Sequence, residues 1–189
     1  AGCGDGVRRL DVADLSVTAH HPMGGISWIH PDDPDRVVET DGKEWRLVNL
    51  GTKDPPVGLG QLHDGGMTPD GSLLVQCTRD GQVTLRDFRT GAVRDTFRIP
   101  TKKMLLCRPD KDGRTLLTTT GTFSLSVLDV ASRKPGARLS TDSAGALSVL
   151  PSPDGRGWLL GTNVRAFRWD GRNPKINEVL WAGGRPTLV

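Results

Sequence analysis

The sequence lacks several features that would point directly to a function. It has no tyrosine, four phenylalanines and five tryptophans, so few aromatic side chains are available to stack on bases. Arginines and lysines exceed aspartates and glutamates by only three, and they are dispersed along the chain. A nucleic-acid-binding protein would normally carry a basic stripe or patch. We therefore expect no nucleic-acid partner.

Long apolar runs are also missing. No stretch approaches the length of a membrane span, and the first residues show no charged-then-apolar signal pattern. Ala1-Gly2-Cys3 matches the end of a bacterial lipoprotein cleavage box, which leaves an extracytoplasmic location open. However, Cys3 precedes Asp5-Gly6 much as Cys77 precedes Asp80-Gly81, so we favour the end of a strand. The sequence predicts no membrane span.

Cysteine is scarce. The three cysteines Cys3, Cys77 and Cys107 cannot all pair, and none forms the Cys-x-x-Cys spacing of a metal or redox site. Disulfides are rare in reducing compartments. We expect packed thiols, and this cysteine usage favours the cytoplasm.

What the sequence does contain is a repeat of about 40 residues. A Pro-Asp pair returns at intervals of 38, 40 and 44 residues, at Pro31-Asp32, Pro69-Asp70, Pro109-Asp110 and Pro153-Asp154. An acid or amide closes a short apolar strand at Asp11, Asn49, Asp87, Asp129 and Asp170. The 24 glycines and 13 prolines fall regularly between such strands, as turn residues do. A period of this length built from short strands is typical of β-propeller blades.

The sequence thus predicts an all-β fold, a single β-propeller over residues 1–189 with four-stranded antiparallel blades. Four near-complete blades are expected at about 22–58, 63–100, 103–140 and 145–181. In the second, Leu73-Leu74-Val75 suits a strand covered on both faces, Val83 and Leu85 alternate with polar residues, and 92–99 suits an exposed outer strand. In the third, the turn that begins at Pro109 is interpreted as two residues longer than its counterparts.

The two ends match only parts of a blade, at 1–19 and 182–189. They could share a fifth blade, or the chain could be a piece of a larger propeller. A shared blade would lack most of its second strand and would leave unpaired hydrogen-bonding groups at a sheet edge. We favour the piece.

The unit 80–91, which follows Thr68-Pro69-Asp70-Gly71, resembles the WD-repeat propellers and their bacterial relatives. Only Trp169-Asp170 retains the Trp-Asp pair, and no Gly-His dipeptide occurs. The resemblance implies a binding platform whose partners sit on the face formed by the connections between blades and by the turns between second and third strands. Carried onto this chain, that face comprises His20, His21, His63, Arg79, Asp80, Lys102, Lys103, Asp142 and Asn163.

Residue patterns for catalysis or metal binding are weak. There is no Gly-x-Ser-x-Gly elbow and no dinucleotide fingerprint. His20, His21, His30, Asp32 and Asp33 lie close in sequence, but His30 and the two aspartates sit at a repeat turn. Asp110-Lys111-Asp112-Gly113 opens like a calcium loop without its distal glutamate. We expect no metal and no cofactor.

Three functional hypotheses follow, and one of them is a purely structural spacer. The first is a non-catalytic interaction or regulatory scaffold that presents loops to a protein partner or to a catalytic domain of the same polypeptide. The alternative is a propeller enzyme, resembling lactonases or dehydrogenases, with polar residues converging on the central channel.

Overall fold

The fold was analysed in a computed structural model. It describes residues 2–3, 6–10, 17–21, 25–40, 43–101, 104, 106–119, 124–140, 148–161, 165–173, 175 and 178–182. Within these ranges there are 19 β-strands and no helix. The predicted all-β class is confirmed. Accordingly, the described part offers no helix long and apolar enough to cross a membrane.

The strands form five antiparallel sheets, each ordered as in the sequence. An N-terminal sheet contains β1 (Gly2–Cys3), β2 (Gly6–Leu10) and β3 (Val17–His21). Blade 1 contains β4 (Gly25–His30), β5 (Asp33–Thr40), β6 (Trp45–Asn49) and β7 (Val57–Gly60). Blade 2 contains β8 (Asp64–Met67), β9 (Leu73–Cys77), β10 (Gln82–Asp87) and β11 (Val93–Arg98). Cys3 ends a strand, as the sequence predicts.

Two further blades complete the arrangement. Blade 3 contains β12 (Leu106–Pro109), β13 (Thr115–Thr119), β14 (Ser124–Asp129) and β15 (Pro135–Ser140). Blade 4 contains β16 (Ser148–Pro151), β17 (Trp158–Gly161), β18 (Arg165–Trp169) and β19 (Glu178–Ala182). Four sequential four-stranded meanders of this kind are the blades of a β-propeller. Of the predicted partial blade 182–189, all but Ala182 lies outside the described residues.

The antiparallel order sorts the turns onto two faces. The turn between first and second strands of a blade, its A–B turn, lies at the same end as the turn between third and fourth strands, its C–D turn. We call this the A–B face. The B–C turns and the connections between blades lie at the other end, the B–C face.

Blade 2 shows why each strand takes its place. All five residues of β9 are buried, as expected for a strand covered on both faces. In β10, Val83 and Leu85 are buried while Thr84 is only half-buried, and four of the six residues of β11 are exposed. The three predicted strand patterns are confirmed, because they depend only on local alternation.

The hydrophobic core lies between neighbouring blades. Val38 and Leu47 of blade 1 pack with Leu74 and Phe88 of blade 2. Larger clusters join blade 2 to blade 3 and blade 3 to blade 4. Blades 2 and 3 therefore bury both faces against neighbouring sheets, which makes a single blade unstable by itself.

The A–B turns of blades 2, 3 and 4 have identical backbone hydrogen bonds. The residue that opens the turn donates its N–H to the carbonyl five residues on, in the pairs Thr68 with Leu73, Asp110 with Thr115 and Ser152 with Gly157. The opening residues lie 42 apart in each case. The predicted two-residue extension of the blade 3 turn is therefore wrong. Lys111-Asp112, and not Pro109-Asp110, occupies the place of Pro69-Asp70, so Asp110 stands where the others have a hydroxyl.

The A–B turns also pack against one another from blade to blade. Gly71 has φ +67°, and a Cβ there would lie 2.6 Å from Pro31 Cδ in blade 1. Gly113 has φ +68°, and a Cβ there would lie 2.7 Å from Leu73 Cδ2 in blade 2. Both positions favour glycine because φ is positive, and at Gly71 the ring of Pro31 also leaves no space for a Cβ.

The slot that holds Trp in the WD pair contains different residues in blades 2 and 4. Trp169 is fully buried, and its Nε1 donates to Asn173 O at 2.6 Å. Arg86 donates from Nη1 to Gly91 O at 2.8 Å and from Nε to Gln76 Oε1. In both blades the slot residue hydrogen-bonds a carbonyl of its own C–D turn.

Candidate functional site

The predicted partner-binding residues that the structure describes lie on the B–C face. His63 is exposed in the connection between blades 1 and 2. Arg79 and Asp80 are exposed in the B–C turn of blade 2. The structure brings these three residues to one end of blade 2, since His63 N donates to Cys77 O at the end of β9.

For the other predicted residues the structure describes less. His20 and His21 lie in β3, and their side chains are outside the described part. Lys102, Lys103, Asp142 and Asn163 also lie outside the described residues. Their place in a binding site stays a prediction.

The B–C turn of blade 2 is held by its own side chains. Thr78 Oγ1 donates to Asp80 Oδ1 at 2.5 Å and accepts from Gln82 N at 3.1 Å. Arg98 of the outer strand pairs with Asp80 Oδ2 at 2.5 Å. The hydrogen bond from Thr78 holds the pKa of Asp80 below its usual value. These contacts stabilise the turn, and Arg79 is exposed at its tip.

The histidine–aspartate group considered for metal binding is used in packing where the structure describes it. His30 is buried, its Nδ1 accepts from Asp32 N at 3.2 Å, and its ring lies 5.2 Å from that of Phe88. Within the described ranges, no group of three His, Cys, Asp or Glu side chains is placed to hold a metal ion.

Cys77 and Cys107 are buried free thiols on adjacent blades. Burial, followed by the contact with Cys107, raises the pKa of Cys77 far above its usual value. Since the thiolate is the reactive form, Cys77 is inert as a nucleophile. The predicted packed thiols are confirmed for these two cysteines.

Asp64 and Arg108 join the first strands of blades 2 and 3. Asp64 Oδ2 accepts from Arg108 Nη1 at 2.5 Å and from Cys107 N at 2.7 Å. Arg108 also donates to Gly65 O. This half-buried pair therefore links the first strands of two neighbouring blades.

A cleft opens between blades 3 and 4 on the A–B face. Its volume is about 720 Å³, within the usual range for ligand sites. We call it the 3–4 cleft. Blade 3 contributes Asp110, Thr115 and Val127. Blade 4 contributes Gly155, Arg156, Gly157, Trp158, Arg168, Asp170, Gly171 and Arg172.

The acids of blade 4 at this cleft are bound by their own turns. Asp154 accepts from Ser152 Oγ at 2.7 Å and from Arg156 N at 3.0 Å, and it pairs with Arg168. These donors, Ser152 first, lower the pKa of Asp154 to about 2. Asp170 Oδ1 accepts from Arg172 N at 2.8 Å. Both carboxylates therefore shape the turns, and the arginine side chains line the cleft beside them.

Sequence reasoning did not find the 3–4 cleft. Its polar residues come from two turns of blade 4 and one of blade 3, and the family resemblance directed attention to the opposite face. The signal that could have indicated it is the cluster of Arg156, Arg168 and Arg172 within one repeat.

Comparison with known proteins shows the fold. No protein-family profile matches the sequence, and no curated protein matches it. Among solved structures, Kuenenia stuttgartiensis hydrazine synthase is similar at a TM-score of 0.58 and 18% identity, covering 87% of this chain and 52% of that one. BamB from Moraxella catarrhalis is similar at 0.59 and 18%, covering 85% and 48%. Both similarities support a β-propeller.

The present chain spans about half the length of each of these structures. One of them is named as an enzyme. At 18% identity the likeness concerns the path of the backbone alone. Function must be argued from the side chains of this chain.

Proposed function

We propose that this chain is a non-catalytic interaction module that binds a protein partner, or a domain of its own polypeptide, through the B–C face. The module belongs, in this proposal, to the WD-repeat-like propellers of bacteria. The partner surface comprises the turn 78–82 and His63, together with the predicted neighbours His20, His21, Lys102, Lys103, Asp142 and Asn163.

The observation that carries the proposal is the self-fixed B–C turn of blade 2. Thr78, Asp80 and Gln82 hold one another, and Arg98 supports them from the outer strand. A partner that binds Arg79 and His63 does not have to order this turn first. Because ordering loops and side chains weakens association, a turn already fixed favours binding.

The enzyme alternative needs polar groups that are available at the channel. In the described part, the charged pair of the inner strands, Asp64 and Arg108, is engaged with itself and with backbone groups of both blades. Cys77 is held as a thiol. These contacts favour a structural role for the residues nearest to the axis.

The test first identifies the partner and then measures its affinity for this chain. A photo-crosslinking amino acid at position 79, in the full-length protein that contains this chain, would capture the partner in cells for identification by mass spectrometry. The purified pair is then titrated by calorimetry. We expect Arg79→Ala combined with His63→Ala to weaken binding by about tenfold, because arginine is enriched among the few interface residues whose truncation costs more than about 1 kcal/mol.

A matched control comes from the opposite face. Arg89 is exposed in the C–D turn of the same blade, so Arg89→Ala should leave the affinity unchanged. Equal affinity of the double variant and of Arg89→Ala would refute the assignment of the face. If the protein turns over a small-molecule substrate, and the double variant and Arg89→Ala both retain that activity, the enzyme alternative would be favoured.

A further inference from the structure

Two cysteines occupy neighbouring positions at the interface between blades 2 and 3. Cys77 is the last residue of β9, and Cys107 is the second residue of β12. At the next interface the register places Thr119 of blade 3 and Val149 of blade 4 at the corresponding positions. The repeat therefore does not require a cysteine at either position, and the pair is a particular feature of this one interface.

The side chain of Cys77 points at blade 3. Cys77 is paired in register with Asp64 on β8, and residues directly opposite each other in an antiparallel pair project from the same face of the sheet. Asp64 Oδ2 accepts a hydrogen bond from Cys107 N at 2.7 Å, so this face is the one that packs on blade 3. Strands β9 and β12 approach each other to Cα distances within 8 Å.

The two thiols meet in a buried contact. Cys77 is 1% exposed and Cys107 is 0% exposed, and both belong to the hydrophobic cluster that joins blade 2 to blade 3. The pKa of Cys77 is raised first by burial and then by the side-chain contact with Cys107. A disulfide needs an S–S distance of about 2.05 Å and Cα atoms about 4.4–6.8 Å apart. Two sulfur atoms already in contact across the interface need only a local movement to reach that geometry.

We propose that Cys77 and Cys107 form a disulfide that joins blades 2 and 3 when the chain folds in the presence of a disulfide oxidant such as oxidised glutathione. The packed thiols described above are the reduced form of the same site. The bond is made while the two blades assemble, because in the packed protein neither sulfur is accessible to an oxidant. In the unfolded chain the thiol pKa is the ordinary one, about 8.5, so that thiolate is available near neutral pH.

The reaction consists of two thiol–disulfide exchanges. The thiolate of one cysteine attacks a sulfur of oxidised glutathione, forms a mixed disulfide and releases one glutathione thiolate. The thiolate of the other cysteine then attacks the protein sulfur of the mixed disulfide, forms the bond between Cys77 and Cys107 and releases the second glutathione thiolate. The two protons lost by the cysteines are taken up by the two released thiolates. Two protein thiols are thus oxidised to one disulfide, while one glutathione disulfide is reduced to two thiols.

The disulfide links two blades that otherwise associate through side-chain packing and polar contacts. Positions 77 and 107 lie 30 residues apart, and the loop that the bond closes contains both β10 and β11. A cross-link that closes such a loop stabilises the folded state chiefly by restricting the unfolded chain. By linkage, a bond that stabilises the folded protein is itself favoured by folding. The inference goes beyond the proposed function, and its test does not involve His63, Arg79 or a partner identified through them.

The first measurement compares folded and unfolded protein in one redox buffer. The full-length protein that contains this chain is reduced and unfolded in guanidinium chloride. It is then incubated with a mixture of reduced and oxidised glutathione, either after dilution that allows refolding or still in guanidinium. Thiols are blocked with N-ethylmaleimide in guanidinium, and peptide mapping without reduction measures the linked peptide pair that contains Cys77 and Cys107. The ratio of linked to unlinked peptide should be at least about tenfold higher in the refolded sample.

The second measurement compares the stability of the oxidised and the reduced protein. The urea midpoint of the oxidised wild type should be higher than that of the wild type in dithiothreitol. Cys107→Ala should remove this difference, because it leaves Cys77 without its partner. Cys3→Ser is the matched control, since it removes a cysteine outside the proposed pair and should leave both the linked peptide and the difference in midpoint unchanged. The comparison of the two redox states of the wild type stands even if Cys107→Ala does not fold.

Three results would overturn the proposal. The first is a link between Cys77 and Cys107 that is no more abundant after refolding than in guanidinium. The second is a link from either residue mainly to Cys3 or to another cysteine of the full-length protein. The third is an oxidised protein that unfolds at the same urea concentration as the reduced protein, or at a lower one.

Discussion

Blades 2 and 4 have chemically different residues at the position that holds Trp in the WD pair, although both residues hydrogen-bond a carbonyl of the C–D turn. Each needs an N–H donor for a carbonyl of its C–D turn. Blade 4 supplies the apolar Trp169, which reaches Asn173 O from a fully buried ring. Blade 2 supplies the charged Arg86, which reaches Gly91 O. In these two blades the slot residue is a long side chain that carries an N–H, whereas blade 3 has the buried Leu128 at the same position, before Asp129.

The difference lies in what each choice requires nearby. Trp169 needs only a neighbour that accepts a ring, which is Trp158 at a centroid distance of 6.2 Å. Arg86 has further N–H groups, and burial lowers its pKa. The buried side chain of Gln76 accepts a hydrogen bond from Arg86 Nε. It also donates to Leu59 O of blade 1 at 3.3 Å. A charged slot residue thus couples blade 2 to its neighbour through polar contacts.

The largest effect on stability is expected for Trp169, the apolar slot residue of blade 4. Trp169→Ala should lower the free energy of unfolding by about 3–5 kcal/mol, because it removes a fully buried aromatic ring and leaves a cavity. Trp169→Phe keeps most of the ring and should cost less, since the lost hydrogen bond contributes about 1 kcal/mol. Urea unfolding followed by circular dichroism measures both. Equal costs would mean that the hydrogen bond, and not packing, governs this slot.

Substitution of Arg86, the charged slot residue of blade 2, should have a different effect on stability. Arg86→Met should cost about 1–3 kcal/mol, because Gly91 O and Gln76 Oε1 lose their donor. With Gln76→Leu added, the total should be smaller than the sum of the two single costs by about 0.5–3 kcal/mol, as for partners in one network. The double-mutant cycle is run by the same unfolding assay. Additive costs would show that Arg86 and Gln76 act independently.

Lowering the pH should destabilise blades 2 and 4, because each has a turn held by an aspartate with a lowered pKa. The pKa of Asp87 in blade 2 is lowered to about 2, first by the hydrogen bond from Arg94, and that of Asp154 in blade 4 is lowered to about 2 by Ser152 first. Their contributions are complete above the unfolded-state pKa of about 4 and are lost as pH falls towards about 2.

The free energy of unfolding should therefore decrease as the pH is lowered between these two values. Asp87→Asn and Asp154→Asn should each flatten this dependence by a similar amount, because the two pKa values are lowered alike. A slope that neither variant changes would place the acid-sensitive groups elsewhere.

The smallest effect concerns the exposed ion pair at the C–D turn of blade 2. Arg94→Ala should cost only about 0–1 kcal/mol, because its partner Asp87 keeps the N–H and hydroxyl of Thr90 as donors. The same change should raise the pKa of Asp87 measured by NMR. A cost well above that range would give Arg94 a packing role that its 50% exposure does not suggest.

Sequence reasoning performed well for strands and less well for turns. The burial of β9 and the alternation in β10 were predictable because they depend on neighbouring residues only. The A–B turn of blade 3 was assigned the wrong register because Pro109-Asp110 matches the dipeptide of the other turns. The hydrogen bond from Asp110 N to Thr115 O shows the true equivalence. A dipeptide is weaker evidence of register than the spacing of 42 residues that blades 2, 3 and 4 share.

The predicted partner face remains a proposal, and the 3–4 cleft shows why sites are harder to predict than strands. Asp110 and Trp158 lie in different blades, and no local pattern relates them. The same holds for the contact between Gly71 and Pro31, which only the packing of one blade on the next brings together.

The sequence by itself determined the number of strands in each of the four blades and, in blade 2, the burial pattern of the strands and the residues of the turns between them. These properties follow from the period of two along a strand and from hydrogen bonds between residues two to five positions apart. The tertiary structure alone decided which side chains of different blades meet, and therefore which polar groups are satisfied and which are left unpaired. The reason is that whether a group is paired depends on everything that surrounds it, as for Trp158 Nε1, which has no partner among the residues that the structure describes.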